Sequence, residues 1–251
     1  MNHMQKWILR IKAWLKSRRE AKLPVIYCVH GFGVRKTVEF LPLKMYFEDL
    51  GHKVVCVELF DQRDPNDTDP QQWLQRAEDG LAQLIAQERK VWLIGFSMGG
   101  VIATYLSTLY SVERLVLLAP AFEYLSLQNV KGAAKNVART IIKKPRTNLS
   151  SNYPPLPTSF SPVFRSIIAL CRDSIGKVDV PVLFLHGSDD ETIPIRSSEN
   201  AYAKVPHEMK LLLVIAGVMH RLLDDDRLNQ DILKLIDDFF NERLLKEIPI
   251  K

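Results

Sequence analysis

The sequence is poor in cysteine. Its 251 residues include three, Cys28, Cys56 and Cys171, too few for a disulfide framework and without the spacing of a metal site. Two of them lie inside apolar, strand-like runs, where buried thiols of a reducing compartment belong, so the expected location is cytoplasmic. No run is long and apolar enough to span a bilayer. No repeat or low-complexity tract is present. The histidines and acids form no cluster with metal-ligand spacing, and neither a metal nor a cofactor is expected. An excess of one charge is also missing from most of the chain. The formal net charge is +5, but residues 1–22 hold seven Lys/Arg and one Glu, leaving 27 Lys/Arg against 28 Asp/Glu elsewhere. A body this close to neutral carries no electrostatic footprint for nucleic acid, and none is expected as a partner.

What the chain has is apolar residues, 47% of the total, enough for one large core. They fall in short runs separated by helical patterns. Strands are expected at 24–29, 53–59, 90–94, 114–119, 180–185 and 210–215, and helices at 38–50, 70–87, 101–109, 196–204 and 226–246. Asp69 is placed to cap the helix that begins at Pro70, and Gly51 to end the helix before it. The polar stretch Asp61–Asp69, with Pro65 and Pro70 near its ends, reads as a surface loop. Strands alternating with helices in this way predict a mostly parallel, six-stranded sheet covered on both faces. The alternation breaks at 121–178, which holds helical patterns at Val130–Ile141 and Val163–Leu170 around a Pro-rich link. An insertion of this length between core strands reads as a lid. The expected organisation is therefore one α/β domain over 23–251, with a lid at 121–178, preceded by a separate helix over 1–22.

That first helix places Trp7, Ile8, Ile11, Trp14 and Leu15 on one face and basic residues on the rest. Two readings stay open. The helix packs on the domain, or it makes peripheral contact with a membrane surface.

The chemistry concentrates at strand ends. Gly95-Phe96-Ser97-Met98-Gly99 falls between an apolar strand and an Ala/Leu-rich helix. A turn this sharp strains the serine backbone, and Gly at 95 and 99 lets strand and helix close together. His30-Gly31-Phe32-Gly33 follows the first strand, a place from which a backbone N–H can be aimed at the sheet's edge. His186 to Pro194 follows the fifth, with Asp189 and Asp190 both available, and His220 follows the sixth. A serine hydroxyl is a poor nucleophile unless an imidazole takes its proton. The imidazole in turn needs an acid to fix its tautomer and stabilise its charged form. The order Ser…Asp…His fits that need at the edge where open α/β sheets bind ligands. His30 and His186 read as structural, and His3, His52 and His207 as surface residues.

Taken together, Gly95–Gly100, His30–Gly33, Gly187–Pro194 and Gly217–His220 resemble the α/β-hydrolase superfamily, and within it small bacterial carboxylesterases and monoacylglycerol lipases with a compact lid. The resemblance covers about residues 24–245. It implies an α/β-hydrolase fold and a serine hydrolase that cleaves short- to medium-chain acyl esters or monoacylglycerols through an acyl-enzyme. It also implies a triad of Ser97, Asp190 and His220, with backbone N–H groups of Phe32 and Met98 holding the oxyanion. Asp190, not Asp189, matches the family's spacing to Ile193-Pro194. A small-molecule ester is the expected partner. The same machinery serves thioesterases and amidases, and a hydrolase-fold binding protein without turnover is the alternative of another class. Two departures stand out: the pair of strands that often opens this fold has no counterpart in residues 1–22, and Asp61–Asp64 occupies the place of a Gly-His-Gly loop.

Overall fold

The computed structural model describes residue 5 and residues 23–33, 35–87, 89–124 and 155–244. The expected helix over 1–22, apart from residue 5, and the Val130–Ile141 pattern lie outside the described residues, as does the last part of the expected C-terminal helix.

Six strands form one sheet: β1 Val25–Val29, β2 Val54–Val57, β3 Val91–Phe96, β4 Arg114–Leu118, β5 Val182–Gly187 and β6 Lys210–Ile215. Their spatial order is β2-β1-β3-β4-β5-β6, and every described pairing is parallel. The helices are α1 Leu41–Asp49, α2 Pro70–Ala86, α3 Met98–Leu109, α4 Phe160–Cys171, α5 Arg196–Lys204 and α6 Asn229–Phe240.

Side chains alternate across a strand, so the apolar runs feed two cores at once. Tyr27, Val29, Leu93, Leu117 and Phe184 face a layer built by α2, α3, α4 and α5. Ile26, Cys28, Ile94, Val116 and Leu185 face α1 and α6. Each fully buried Leu, Ile or Phe contributes about 1.5–3 kcal/mol relative to exposure. Such double-sided burial is why these strands read as continuous apolar runs. Cys28 and Cys56 stand abreast in the β1–β2 register, and all three cysteines are free thiols.

Most boundaries follow local chemistry. Asp69 accepts the Gln71 N–H at 2.8 Å, capping α2 with Pro70 in its first turn, and Gly51 ends the preceding segment at φ +93°. Three expectations need revision. The segment after the His30 loop opens as a 3-10 turn, Lys36–Phe40, before α1 begins at Leu41 with Pro42 in its first turn. The C-terminal helix starts at Asn229 and ends at Phe240, where Asn241 terminates it and Glu242 turns to φ 60°. The Asp61–Asp69 loop is not wholly superficial. Asp67 is buried and accepts hydrogen bonds from Arg76, Trp73 and the Asp61 N–H.

The second helix of the expected insertion, α4, lies in the core rather than above it. Phe160, Val163 and Ile167 are buried, and Phe160 meets Phe60 and Trp73 edge-on at 5.4 and 5.0 Å. Phe164, on the adjoining face, meets Phe32 and Tyr124 at centroid distances of 5.2 and 5.0 Å. Among the described residues no helix is long and apolar enough to cross a membrane.

Candidate active site

Ser97 is the residue between β3 and α3, and its backbone is held at φ 53°, ψ −119°, a conformation that costs a non-glycine residue about 1–3 kcal/mol. The surroundings over-determine it. Its N–H donates to Leu118 O at 2.9 Å, and its carbonyl accepts from Gly100 at 3.0 Å and Ala121 at 3.1 Å. The flanking glycines serve the closeness of the turn. A β-carbon at Gly99 would strike Val29 O and His30 O, and one at Gly95 would strike the Gly99 carbonyl. Strand and helix meet here only because neither position carries a side chain.

Loops from four other strand ends surround the serine. After β1, the backbone of Gly31 comes so near that a β-carbon there would lie 3.1 Å from Ser97 Cβ and 3.0 Å from Phe96 Cδ1. The loop is shaped by His30, which is fully buried. Its Nε2 accepts the Leu59 N–H at 3.1 Å, so its proton is on Nδ1, which donates to Gly31 O at 2.7 Å. Burial lowers the pKa of this imidazole from 6.5 to about 4, and the ring is neutral at physiological pH. Met98 opens α3, where a first-turn N–H has no intrahelical acceptor. Among the described residues neither the Phe32 N–H nor the Met98 N–H donates to a backbone carbonyl. Donors of this kind, fixed before charge develops, suit an oxyanion.

After β5, Asp190 is held from several sides. Its Oδ1 accepts the N–H groups of Thr192 and Ile193, both at 2.8 Å. Its Oδ2 accepts Nδ1–H of His220 at 2.8 Å and lies 3.2 Å from Nε2 of His186. Burial would raise the carboxyl pKa. The hydrogen bonds from His186 and His220 outweigh it and hold the group well below the usual carboxylate range. His186 is itself fully buried. Its Nε2–H donates to Ile193 O at 3.0 Å, which leaves Nδ1 to accept from Ser198 Oγ at 2.7 Å. Asp189 points elsewhere: it is exposed and accepts from Ser188 Oγ at 2.8 Å. Of the two neighbouring aspartates, Asp190 is the one that meets the imidazole.

His220 follows β6. With Nδ1–H committed to Asp190, its Nε2 is left as an acceptor. Its ring lies 4.9 Å from the Phe96 ring, next to Ser97, and its backbone N–H donates to Glu191 Oε2 at 3.2 Å. No hydrogen bond joins Ser97 Oγ to the imidazole among the described residues, as is common for such pairs without substrate. Glu123, after β4, is occupied with Arg196 and Asn200 and takes no part. Among the described residues no group of three or more His, Cys, Asp or Glu side chains is arranged to hold a metal ion.

Two features were not singled out from sequence. Phe96 is the ring on which His220 rests, and Phe164 forms an aromatic wall with Phe32 and Tyr124. Neither carries a sequence signal beyond being apolar.

The family described as "Alpha/beta hydrolase family" matches residues 26–231. No curated protein matches the chain. Among solved structures, a monoacylglycerol lipase from Paleococcus ferrophilus is similar with a TM-score of 0.66 at 14% identity, covering 87% of this chain and 94% of that one. An esterase from Exiguobacterium antarcticum has a TM-score of 0.66 at 18% identity, with 88% and 93% covered. A soluble variant of monoglyceride lipase from Saccharomyces cerevisiae, in complex with a substrate analog, has a TM-score of 0.65 at 16% identity, with 89% and 87% covered.

Proposed function

The chain belongs to the alpha/beta hydrolase family, and from that premise we propose that it is a serine hydrolase of carboxylic esters, acting on short- to medium-chain acyl esters or monoacylglycerols. The observation that carries the reading is the 2.8 Å hydrogen bond from His220 Nδ1 to a buried Asp190. It leaves Nε2 as an acceptor on a ring that rests against Phe96, the residue before a serine held at positive φ. In the reaction, Ser97 Oγ attacks the ester carbonyl while Nε2 of His220 takes its proton. The Phe32 and Met98 N–H groups receive the oxyanion. Collapse of the tetrahedral adduct breaks the ester C–O bond, and His220 returns the proton to the departing alcohol. Water then attacks the acyl-enzyme, His220 again accepting the proton, and the acid leaves as Ser97 is restored. The wall of Phe32, Phe164 and Tyr124 supports an apolar acyl site beside the His30–Gly33 loop. The solved ester hydrolases of similar fold favour an ester substrate without fixing its identity.

The test is labelling with a fluorophosphonate, followed by turnover of p-nitrophenyl esters of increasing chain length. Covalent modification at Ser97 and ester turnover are expected. Absence of labelling points to a binding protein of this fold, and turnover of thioesters or amides in place of esters moves the substrate class.

A further inference from the structure

Four charged side chains behind the site have no part in the reaction just described. Arg35 immediately precedes, and Glu39 lies in, the 3-10 turn that follows the His30–Gly33 loop. Arg221 immediately precedes, and Asp224 ends, the 3-10 turn that follows His220. Although these segments are far apart in the chain, they are joined twice, and with opposite polarity. Arg35 Nη1 is paired with Asp224 Oδ2, while Arg221 Nη2 lies 3.7 Å from Glu39 Oε1. The first segment thus gives a cation and an anion, and the second answers with an anion and a cation.

The arrangement is costly. Arg35 is 5% exposed and Glu39 8% exposed. Arg35 Nε, Glu39 Oε2 and Arg221 Nη1 are buried without a hydrogen-bond partner. Burial pushes the Glu39 carboxyl pKa up, against the pull of Arg221 and Arg35. Apolar residues of similar volume generally replace buried ion pairs with no loss of stability, and fixing a register is the better-attested use of such pairs. Here the register has an obvious object. Glu39 bears directly on the loop of the oxyanion donor, since a β-carbon at Gly33 would lie 3.4 Å from its Oε1. Arg221 is bonded in sequence to the base. Between them the Phe96 ring borders the same small cavity as all four charged residues, touching His220 on one side and the Gly31 backbone on the other.

We propose that Arg35–Asp224 and Glu39–Arg221 form a crossed ionic clasp that holds the oxyanion loop in register with the His220 loop, the four residues acting as positioning residues. The inference rests on the hydrolase reading for its purpose, though not for its structural content. A donor must lie within a few tenths of an ångström of the developing oxyanion while the base reaches the serine. The two are carried by loops from strands β1 and β6, four strands apart in the sheet. A misplacement of about 1 Å is worth about a hundredfold in rate. Strand pairing alone leaves the ends of such loops free, and the clasp removes that freedom.

The test uses the full chain with two changes. Glu39→Gln keeps shape and removes one charge. Arg35→Met combined with Asp224→Leu removes the other pair, together with the 4.0 Å approach of Arg221 to Asp224, and leaves an apolar contact. In both, kcat for a p-nitrophenyl ester is expected to fall about tenfold to a hundredfold, with KM within about twofold. The double variant should melt no lower than the native protein. Hydrogen exchange of segments 30–40 and 218–224 should rise together in each variant. Full kcat in a double variant of native stability overturns the proposal, as does loosening of only one segment. A fall in stability, kcat and KM together in Glu39→Gln also overturns it, because that is the mark of a merely structural pair. The exchange measurement reads the clasp even where no ester is turned over, so failure of the hydrolase reading is seen separately, as absent labelling of the native protein.

Discussion

The two edges of the sheet are built from the same strands and could hardly differ more. At the amino edge, positive φ falls on Gly51 and Glu242, which close α1 and α6, an ordinary place for a left-handed residue at a helix end. Lys90 pairs with Glu113 in the open, Arg114 reaches exposed Glu242 from over the Phe239 ring, and Trp92 stacks on Phe240 at 4.4 Å. At the carboxyl edge, positive φ falls on Ser97 and Ala119, directly after strands β3 and β4. There His30, His186, Arg35 and Glu39 are buried, and three of the buried polar atoms without partners gather around the loop ends. Strain and buried polarity are unfavourable wherever they occur, and here they are largely segregated to one edge, with buried His52 and left-handed Glu242 the exceptions at the other. That segregation locates the site more firmly than any single residue does.

The contrast predicts where substitution affects activity, and the largest effect belongs to the strained serine. Ser97→Ala should lower kcat by about 10⁶, leaving a residual acceleration of about 10³–10⁴ over water, with melting unchanged or slightly raised. Near-native ester turnover by the pure variant would move the nucleophile elsewhere. Asp190→Asn should cost up to about 10⁴ in kcat, because the wrong imidazole tautomer is favoured. Asp189→Asn, on an exposed side chain one residue earlier, should leave the rate within a small factor. The opposite ranking would shift the acid by one position.

Gly31→Ala sharpens the comparison at the loop. A β-carbon 3.0 Å from Phe96 and 3.1 Å from Ser97 crowds the His30–Gly33 loop against the ring under His220, and kcat should fall up to about tenfold with little change in KM. Wild-type kinetics in that variant would show that the loop has slack. His30 adds a pH dependence of stability. Its folded pKa of about 4 lies below its ordinary 6.5, so the unfolded chain takes up the proton first. The contribution is complete above pH 6.5 and is lost as pH falls towards 4, amounting to about 3 kcal/mol. Denaturant midpoints across that window check it, and His30→Gln should flatten the curve. The smallest effect lies at the amino edge. Lys90→Ala removes an exposed pair with Glu113 and should cost under about 1 kcal/mol, with ester turnover untouched. A loss of activity there would dissolve the distinction between the edges.

Much of this was legible from the chain alone, for reasons that differ by residue. Strands buried on both faces write themselves as apolar runs. Pro70 after Asp69 announces a helix start through capping chemistry, and Gly95 and Gly99 announce the elbow because close backbone approach excludes side chains. Asp190 is another matter. Nothing intrinsic separates it from Asp189, and only the spacing to Ile193-Pro194 favoured it before the loop geometry placed it on His220. The end of α6 was overestimated because Glu242 at φ 60° gives no compositional sign of a stop. The Arg35, Glu39, Arg221 and Asp224 pairing was invisible. Ion pairs between distant segments leave no periodicity, and each of these residues reads singly as solvated surface. The same holds for Asp67, whose burial depends on Arg76 and Trp73 arriving from α2.

Asp190 has its acceptors engaged by Thr192, Ile193, His220 and His186, with Ser198 of α5 bracing His186 from behind. The carboxylate is therefore a fixed electrode. Around an imidazolium forming in water, solvent dipoles must turn to meet the new charge, and that reorganisation is a large share of the barrier to proton transfer. In the proposed reaction the charge on His220 appears in a field whose direction is set by backbone N–H groups and a buried ring, none of which has to turn. The orientational work is completed during folding, once per molecule, and is not repeated at each turnover.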